Sequence, residues 1–205
     1  MLPQVVTYLP GLRPLSTMEL YTDTYYIQRI QAGDVACFVC LLDKYSRPIN
    51  SLILKVVQNQ EEAEELAQDT FMKVFKNLAS FKGDCSFSTW IYRIAYNTAV
   101  SETRRRKREW ACIDQARLAN LPDSEAERMD AWEGRQEYLD ALTRAVGELE
   151  PEERALVTLF YYEEYSVSEC AGITQMSESN IKVRLHRIRK KLYILVNTQL
   201  HGSEK

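Results

Sequence analysis

Glycine and proline are scarce in this chain, at 7 and 6 of 205 residues, which leaves little turn chemistry for an all-β architecture. Histidine is scarcer still, with only His186 and His201. No apolar run approaches the ~18 residues that a bilayer-spanning helix needs. The opening "MLPQVVTYLPGLRPLSTM" has neither a basic start nor a continuous apolar core, so it is a poor signal peptide and the expected location is the cytoplasm. The five cysteines are odd in number and form no disulfide or zinc framework. Cys37 and Cys40 make a CxxC, but inside the helical apolar pattern "ACFVCLLDKY", where small core residues are the simpler reading; Cys85 falls in a loop. There is no P-loop, no nucleophile–base pair and no metal constellation. The expectation is a protein that is not an enzyme, with no catalytic residue, no metal ligand and no cofactor.

What the chain has in quantity is helical periodicity. Hydrophobic residues make up 45% and charged residues 27%, ordinary for one or two globular domains. "TYYIQRIQAGD" reads as a short helix closing at Gly33, and Asp34 as the cap of a segment carrying Phe38, Leu41, Leu42 and Tyr45. Pro48 predicts a kink before "INSLILKVV" resumes the apolar face. Asn59 is the predicted cap of the next helix, whose stripe is Ala63, Leu66, Ala67, Phe71, Val74 and Phe75. Gly83 breaks the pattern, and Ser86 or Ser88 caps a helix that runs into "RRRKR", Arg104 to Arg108. Residues 109–134 have weak periodicity and many acids and read as a flexible linker. Helices return from about residue 135. The fold class is therefore all-α, with two small helical domains, 21–108 and 135–200, joined by an acidic linker; residues 1–20 are expected to be a disordered extension, with Met18 a candidate start.

Charge is unevenly placed. The net charge is only −3, yet residues 123–153 hold eleven acids against three bases, and Lys182 to Lys191 hold six bases and no acid. Local positive charge supports nucleic-acid binding whatever the sum. The second basic run lies in "YSVSECAGITQMSESNIKVRLHRIRKKL". Ser166 and Glu169 form a capping box, the helix ends near Thr174, and Ser177 caps another only three residues on, which is helix-turn-helix spacing. Ile181, Leu185, Ile188 and Leu192 should face the core. Ser179, Asn180, Lys182, Val183, His186 and Arg187 are left outward to reach base edges, with Arg189, Lys190 and Lys191 for phosphates. One feature departs from the motif: the turn position usually given to glycine falls near Gln175, while the nearby Gly172 lies inside the first helix. Alone, this half is compatible with a one-component regulator that binds duplex DNA.

The first half narrows the reading. "FKGDCSFSTWIYRIAYN", residues 81–97, sets an aromatic cluster beside the arginine run. Aromatics next to a basic helix can stack on unpaired bases. Phe87, Trp90, Ile91 and Ile94 are equally compatible with a core, whereas Tyr92, Arg93, Tyr96 and Asn97 lie at other helical angles and are better surface candidates.

"AEELAQDTFMKVFKNLASFKGDCSFSTWIYRIAYNTA" followed by "SVSEC…MSESNIKVRLHRIRKKL" closely resembles the extracytoplasmic-function (ECF) class of RNA polymerase sigma factors, in the sigma-70 superfamily, over about residues 24–108 and 136–195. The resemblance implies a transcription initiation factor with a region 2-like first domain and a region 4-like second one. It implies that the acidic helix docks on the clamp helices of the largest subunit of core RNA polymerase through Glu65, Gln68, Asp69 and Phe71. It implies that a flipped base of the minus-ten promoter element is held by a loop at Lys82, Asp84, Ser86 and Phe87, with Arg93, Asn97, Arg104, Arg105 and Arg106 on the strand and duplex edge. The second domain would read the minus-thirty-five element as duplex, and the linker would thread toward the RNA exit path. Expected partners are core polymerase, promoter DNA and an anti-sigma factor, with no direct membrane insertion.

Overall fold

The computed structural model describes residues 22–105 and 136–201. The expected N-terminal extension 1–20, the linker 109–134 and Arg106 lie outside the described residues, among which there are helices and no strand.

The first half is four α-helices: α1 Asp23–Gln31, α2 Phe38–Val57, α3 Gln60–Asn77 and α4 Phe87–Arg105. Asn59 caps α3 as predicted, its side chain accepting from the Glu62 amide at 2.9 Å. Asp34 does not cap with its side chain; its carboxylate instead takes the Arg29 guanidinium. The kink predicted at Pro48 does not end the helix, since α2 continues through it to Val57. Leu41, Tyr45, Ile49, Leu52, Ile53 and Val56 form one buried stripe along both halves of α2, and that packing outweighs the ~3 kcal/mol that an interior proline costs. Gly83 turns the 81–86 loop with φ +81°, and Ser86 caps α4 by accepting from the Thr89 amide at 3.1 Å.

The second half is α5 Gln136–Glu148, α6 Pro151–Val157, α7 Val167–Thr174 and the long α8 Glu178–His201. Pro151 at the first position of α6 suits the helix start, where its missing N–H is not needed. A π-helical turn, Thr158–Tyr162, leads out of α6 toward α7.

The halves pack directly on one another, α2 against α6 and α4 against α7. At their junction Arg154 of α6 is 1% exposed. Its Nη1 donates to the carbonyls of Gly147 at 3.1 Å and Leu149 at 2.6 Å, and its Nη2 to that of Val56 at 2.5 Å. One cation thus serves the C-terminal ends of α5 and of α2, where carbonyls lack intrahelical partners and the helix dipoles are negative. Gln58, in the left-handed conformation just past α2, donates beside it to the Gly147 carbonyl at 2.9 Å. Arg154→Met should lower stability by about 3 kcal/mol, because the freed carbonyls stay buried while a flexible apolar chain fills the space. Urea denaturation reads this as a lower midpoint at unchanged slope; an unchanged midpoint would show that the guanidinium is dispensable.

Candidate nucleic-acid and polymerase-binding surfaces

The helix-turn-helix forms as its caps predict. Glu169 accepts from the Ser166 amide at 2.9 Å, and Ser166 Oγ from the Glu169 amide at 3.3 Å. Ser177 Oγ accepts from the Asn180 amide at 3.3 Å at the start of α8. Gln175 takes the left-handed conformation at φ +60°, the position where glycine would relieve the steric cost of a side chain. Ile181, Leu185, Ile188 and Leu192 are all buried. That anchors the rotation of α8, so Ser179, Asn180, Lys182, Val183 and Arg187 are exposed and His186 is half-buried. The basic run is divided by this rotation. Arg184 and Lys191 turn back to Glu152 at 3.0 Å and Glu153 at 2.6 Å, while Arg189 is exposed.

In the first half the aromatic run is mainly core. Phe87 is 4% exposed and packs edge-on against Tyr45 and Phe81 and beside Trp90, with ring centroids 5.4 to 5.7 Å apart. It therefore holds the loop from below instead of standing at its surface, whereas Lys82, Asp84 and Ser86 are exposed. Tyr92 and Tyr96, expected on the surface, are buried at 2% and 5%. The second half covers Tyr92: its hydroxyl donates to Glu163 at 2.6 Å and its ring meets Tyr165 at 4.9 Å. Burial pushes the Tyr96 hydroxyl up to about 12, with nearby Glu152 adding to the shift. Arg93 is half-buried and donates to the Gly172 carbonyl at 2.9 Å. Arg104 pairs with Glu152, and Arg105 with Glu102.

Asn97 and Arg105 share an open cleft of about 500 Å³ between α3 and α4 with Asp69, Lys73 and Asn77. On the other side of α3 a groove of about 660 Å³ is lined by Phe38, Leu42, Phe71, Met72 and Phe75, with Gln68 at the same site. The four residues expected to contact polymerase are thus divided: Gln68 and Phe71 line the apolar groove, Asp69 lines the cleft, and Glu65 is exposed on α3. Sequence reasoning passed over Met72, Lys73 and Asn77. It placed Phe75 in the core stripe, although Met72 and Phe75 are 54% and 45% exposed. Leu42 and Phe38 recur at helical spacing like core residues, so only the missing neighbour on that side marks the groove.

Among the described residues Cys37, Cys40, Cys85 and Cys170 are free thiols. Cys37 Sγ lies 3.4 Å from Asp34 Oδ2, and burial and that carboxylate push its thiol up; Cys170 is pushed up to about 11 by burial. Among the described residues no cluster of His, Cys, Asp or Glu could hold a metal ion.

The described residues thus combine a helical body carrying exposed acids, an apolar groove and a polar cleft of mixed charge with a helix-turn-helix, the architecture of a DNA-binding protein. Residues 41–109 match the family described as Sigma-70 region 2, and residues 139–192 match Sigma-70, region 4. RNA polymerase sigma-H factor of Pseudomonas aeruginosa is 29% identical over 187 residues, 83% of this chain and 91% of that protein. ECF RNA polymerase sigma factor SigW of Bacillus subtilis is 27% identical over 174 residues, 81% and 92% of the two chains. The fold is similar to that of CnrH in complex with the cytosolic domain of CnrY, with TM-score 0.61, 19% identity and coverage of 89% and 99%. It is also similar to the sigma factor RpoE in complex with the anti-sigma factor NepR from Bartonella quintana, with TM-score 0.57, 21% identity and coverage of 78% and 96%. The chain belongs to the sigma-70 family of RNA polymerase sigma factors, in its ECF branch. It is a transcription initiation factor that directs polymerase to promoters.

Gln175→Gly should raise stability by about 0.5 kcal/mol, the relief of the left-handed strain less glycine's larger unfolded-state freedom. A lower thermal midpoint would mean that the Gln175 side chain makes contacts worth more than the strain.

Proposed function

We propose that the chain divides promoter recognition between its halves and its polymerase contact along α3. In this reading residues 21–108 bind core polymerase and open the minus-ten element, residues 135–200 read the minus-thirty-five element, and 109–134 tether them. The observation that carries it is the rotation of α8: four buried apolar residues leave Ser179, Asn180, Lys182, Val183 and Arg187 together on the open face. His186 lies at the edge of that face. Side chains of these types can bond base edges in a major groove.

The loop residues Lys82, Asp84 and Ser86 would hold the flipped minus-ten base, with Asn97 and Arg105 guiding the strand along the α3–α4 cleft, where Lys73 adds positive charge. Arg93 and Arg104 would join them once released from Gly172 and Glu152, and Arg106 follows on the same run. Phe87 supports this loop from the core. Glu65, Gln68, Asp69 and Phe71 would dock on the clamp helices of the largest polymerase subunit, and the exposed Met72 and Phe75 give that contact an apolar centre. Acidic residues around it steer a basic partner and fix its register. An anti-sigma factor is the expected regulator, as one accompanies RpoE of Bartonella quintana. The protein would work by binding alone, in the cytoplasm where polymerase and DNA are; no helix among the described residues is long and apolar enough to cross a membrane.

In vitro transcription with bacterial core polymerase and genomic fragments tests the reading. The expected result is discrete, protein-dependent start sites sharing two spaced upstream elements. Sequence-specific duplex binding without polymerase binding would favour a one-component regulator. Arg187→Ala should cost about 5- to 150-fold in discrimination at one minus-thirty-five position, the equivalent of roughly 1–3 kcal/mol. A uniform loss on every sequence would make Arg187 a phosphate contact. Asp69→Ala should weaken core binding with the thermal midpoint unchanged; full core affinity would remove that assignment.

A further inference from the structure

Two thiols share the first turn of α2, and no proposed contact uses them. Cys37 stands at the N-cap position and Cys40 three residues on, with Phe38 and Val39 between. Their setting is not that of a core cysteine. Cys170 is 0% exposed, whereas Cys37 and Cys40 are half-buried and their neighbours Val35 and Val39 are 58% and 59% exposed. The turn therefore lies open to a reagent in solution.

The spacing suits a bridge that is strained. Residues three apart in a helix have Cα atoms about 5 Å from one another, inside the roughly 4.4–6.8 Å that a disulfide spans. Their Cβ atoms, however, lie about 5–6 Å apart in a regular helix, against about 3.8 Å in a disulfide. Closing the bridge must tighten the turn. The backbone just before it is irregular, with Gly33 at φ +103° and a single 3-10 turn, Val35–Cys37. Tightening moves the residue between the thiols that matters most, Phe38. Its ring meets Phe75 of α3 edge-on with centroids 5.0 Å apart, and it lines the apolar groove with Leu42, Phe71 and Met72. Cys37 is also tied to α1: its Sγ–H donates at 3.4 Å to Asp34 Oδ2, the oxygen that takes the Arg29 guanidinium. A bridged Cys37 has no proton to give that carboxylate.

We infer that Cys37 and Cys40 form a reversible redox pair, whose closure draws Phe38 off Phe75 and weakens the α2–α3 groove as a docking face. The coupling rests on the proposed reading of that groove as a polymerase contact. The oxidant is a low-molecular-weight disulfide. Cys40 attacks it as the thiolate, and one sulfur of the oxidant leaves as a thiolate. Cys37 then attacks the Cys40 sulfur of the mixed disulfide and releases the other. Two S–H bonds of the chain give way to one S–S bond, and the two protons and two electrons pass to the oxidant, which departs as two thiols. Cys37 reacts second because Asp34 and burial hold its proton. A bridge that strains its turn is readily reduced, as regulatory disulfides are.

The test uses the full chain incubated with oxidised glutathione and digested without reductant. Mass spectrometry should find the peptide containing Cys37 and Cys40 lighter by two hydrogens, and dithiothreitol should reverse this. Titration with bacterial core polymerase should give an affinity about 10-fold lower for the bridged chain, restored by dithiothreitol. Cys37→Ser, which keeps a hydroxyl for Asp34, and Cys40→Ser should each bind like the reduced chain under both conditions. Both variants retain Cys85, so a loss of affinity in them on oxidation would place the effect at another cysteine and overturn the pair's role. Failure of the bridge to form would overturn it as well. Met72→Asp tests the groove separately and should lower the reduced chain's core affinity about 10-fold with bridge formation unchanged. Full core affinity in Met72→Asp would overturn the docking reading and the coupling with it. A weakened Met72→Asp beside a bridged chain of full affinity would overturn the switch alone.

Discussion

The Arg154 guanidinium lies enclosed between two helix ends and donates to the carbonyl oxygens of Gly147, Leu149 and Val56. Burying a charge is costly, and here the negative ends of α2 and α5 contribute a compensating field. Because one of the three carbonyls belongs to the first half and two to the second, the same side chain that folds the α5–α6 corner also sets where α2 meets it. The register of that meeting then fixes the rest: α6 brings Glu152 to Arg104, and α7 comes down on Thr89 and Arg93. The cation sits within a continuous apolar core to which both halves contribute.

The functional surfaces follow from the same packing. α3 separates two open features, an apolar groove on the α2 side and a polar cleft on the α4 side. A protein partner is suited to the first, where Met72 and Phe75 stand exposed with Glu64 and Lys76 in the same lining. The second is polar and mixed in charge, with Lys73 and Arg105 set against Asp69 and Glu102 beside Asn77 and Asn97. Ser179, Asn180, Lys182, Val183 and Arg187 of α8 stay exposed, whereas the second half covers Tyr92 and takes up Arg93 of α4.

Much of this was legible in the residues. Asn59, Ser166 with Glu169, and Ser177 announced their helix starts because side-chain capping is a local interaction, written within four residues. The apolar period of α8 gave its rotation, and with it the outward face. What could not be read depended on partners distant in the chain. Tyr92 and Tyr96 lie at helical angles that point away from their own half's core, and only the arrival of the second half buries them. Pro48 marked an expected kink with the apolar face resuming beyond it, and α2 runs through it as one helix to Val57. Gly172 looked like a defect of the turn; its reason is Thr89, 83 positions earlier. Phe38, Leu42, Phe71 and Phe75 read as core by spacing, and the groove they line is visible only as a neighbour that is not there.

The central claim is that the exposed face of α8 meets promoter DNA while the apolar groove along α3 meets polymerase. Site-specific photocrosslinking from Asn180 and from Met72, both exposed, in the complex with core polymerase and promoter DNA addresses it directly. The account predicts that Asn180 crosslinks to upstream DNA and Met72 to the largest polymerase subunit. Crosslinks from Asn180 to protein alone, or from Met72 to DNA, would contradict it.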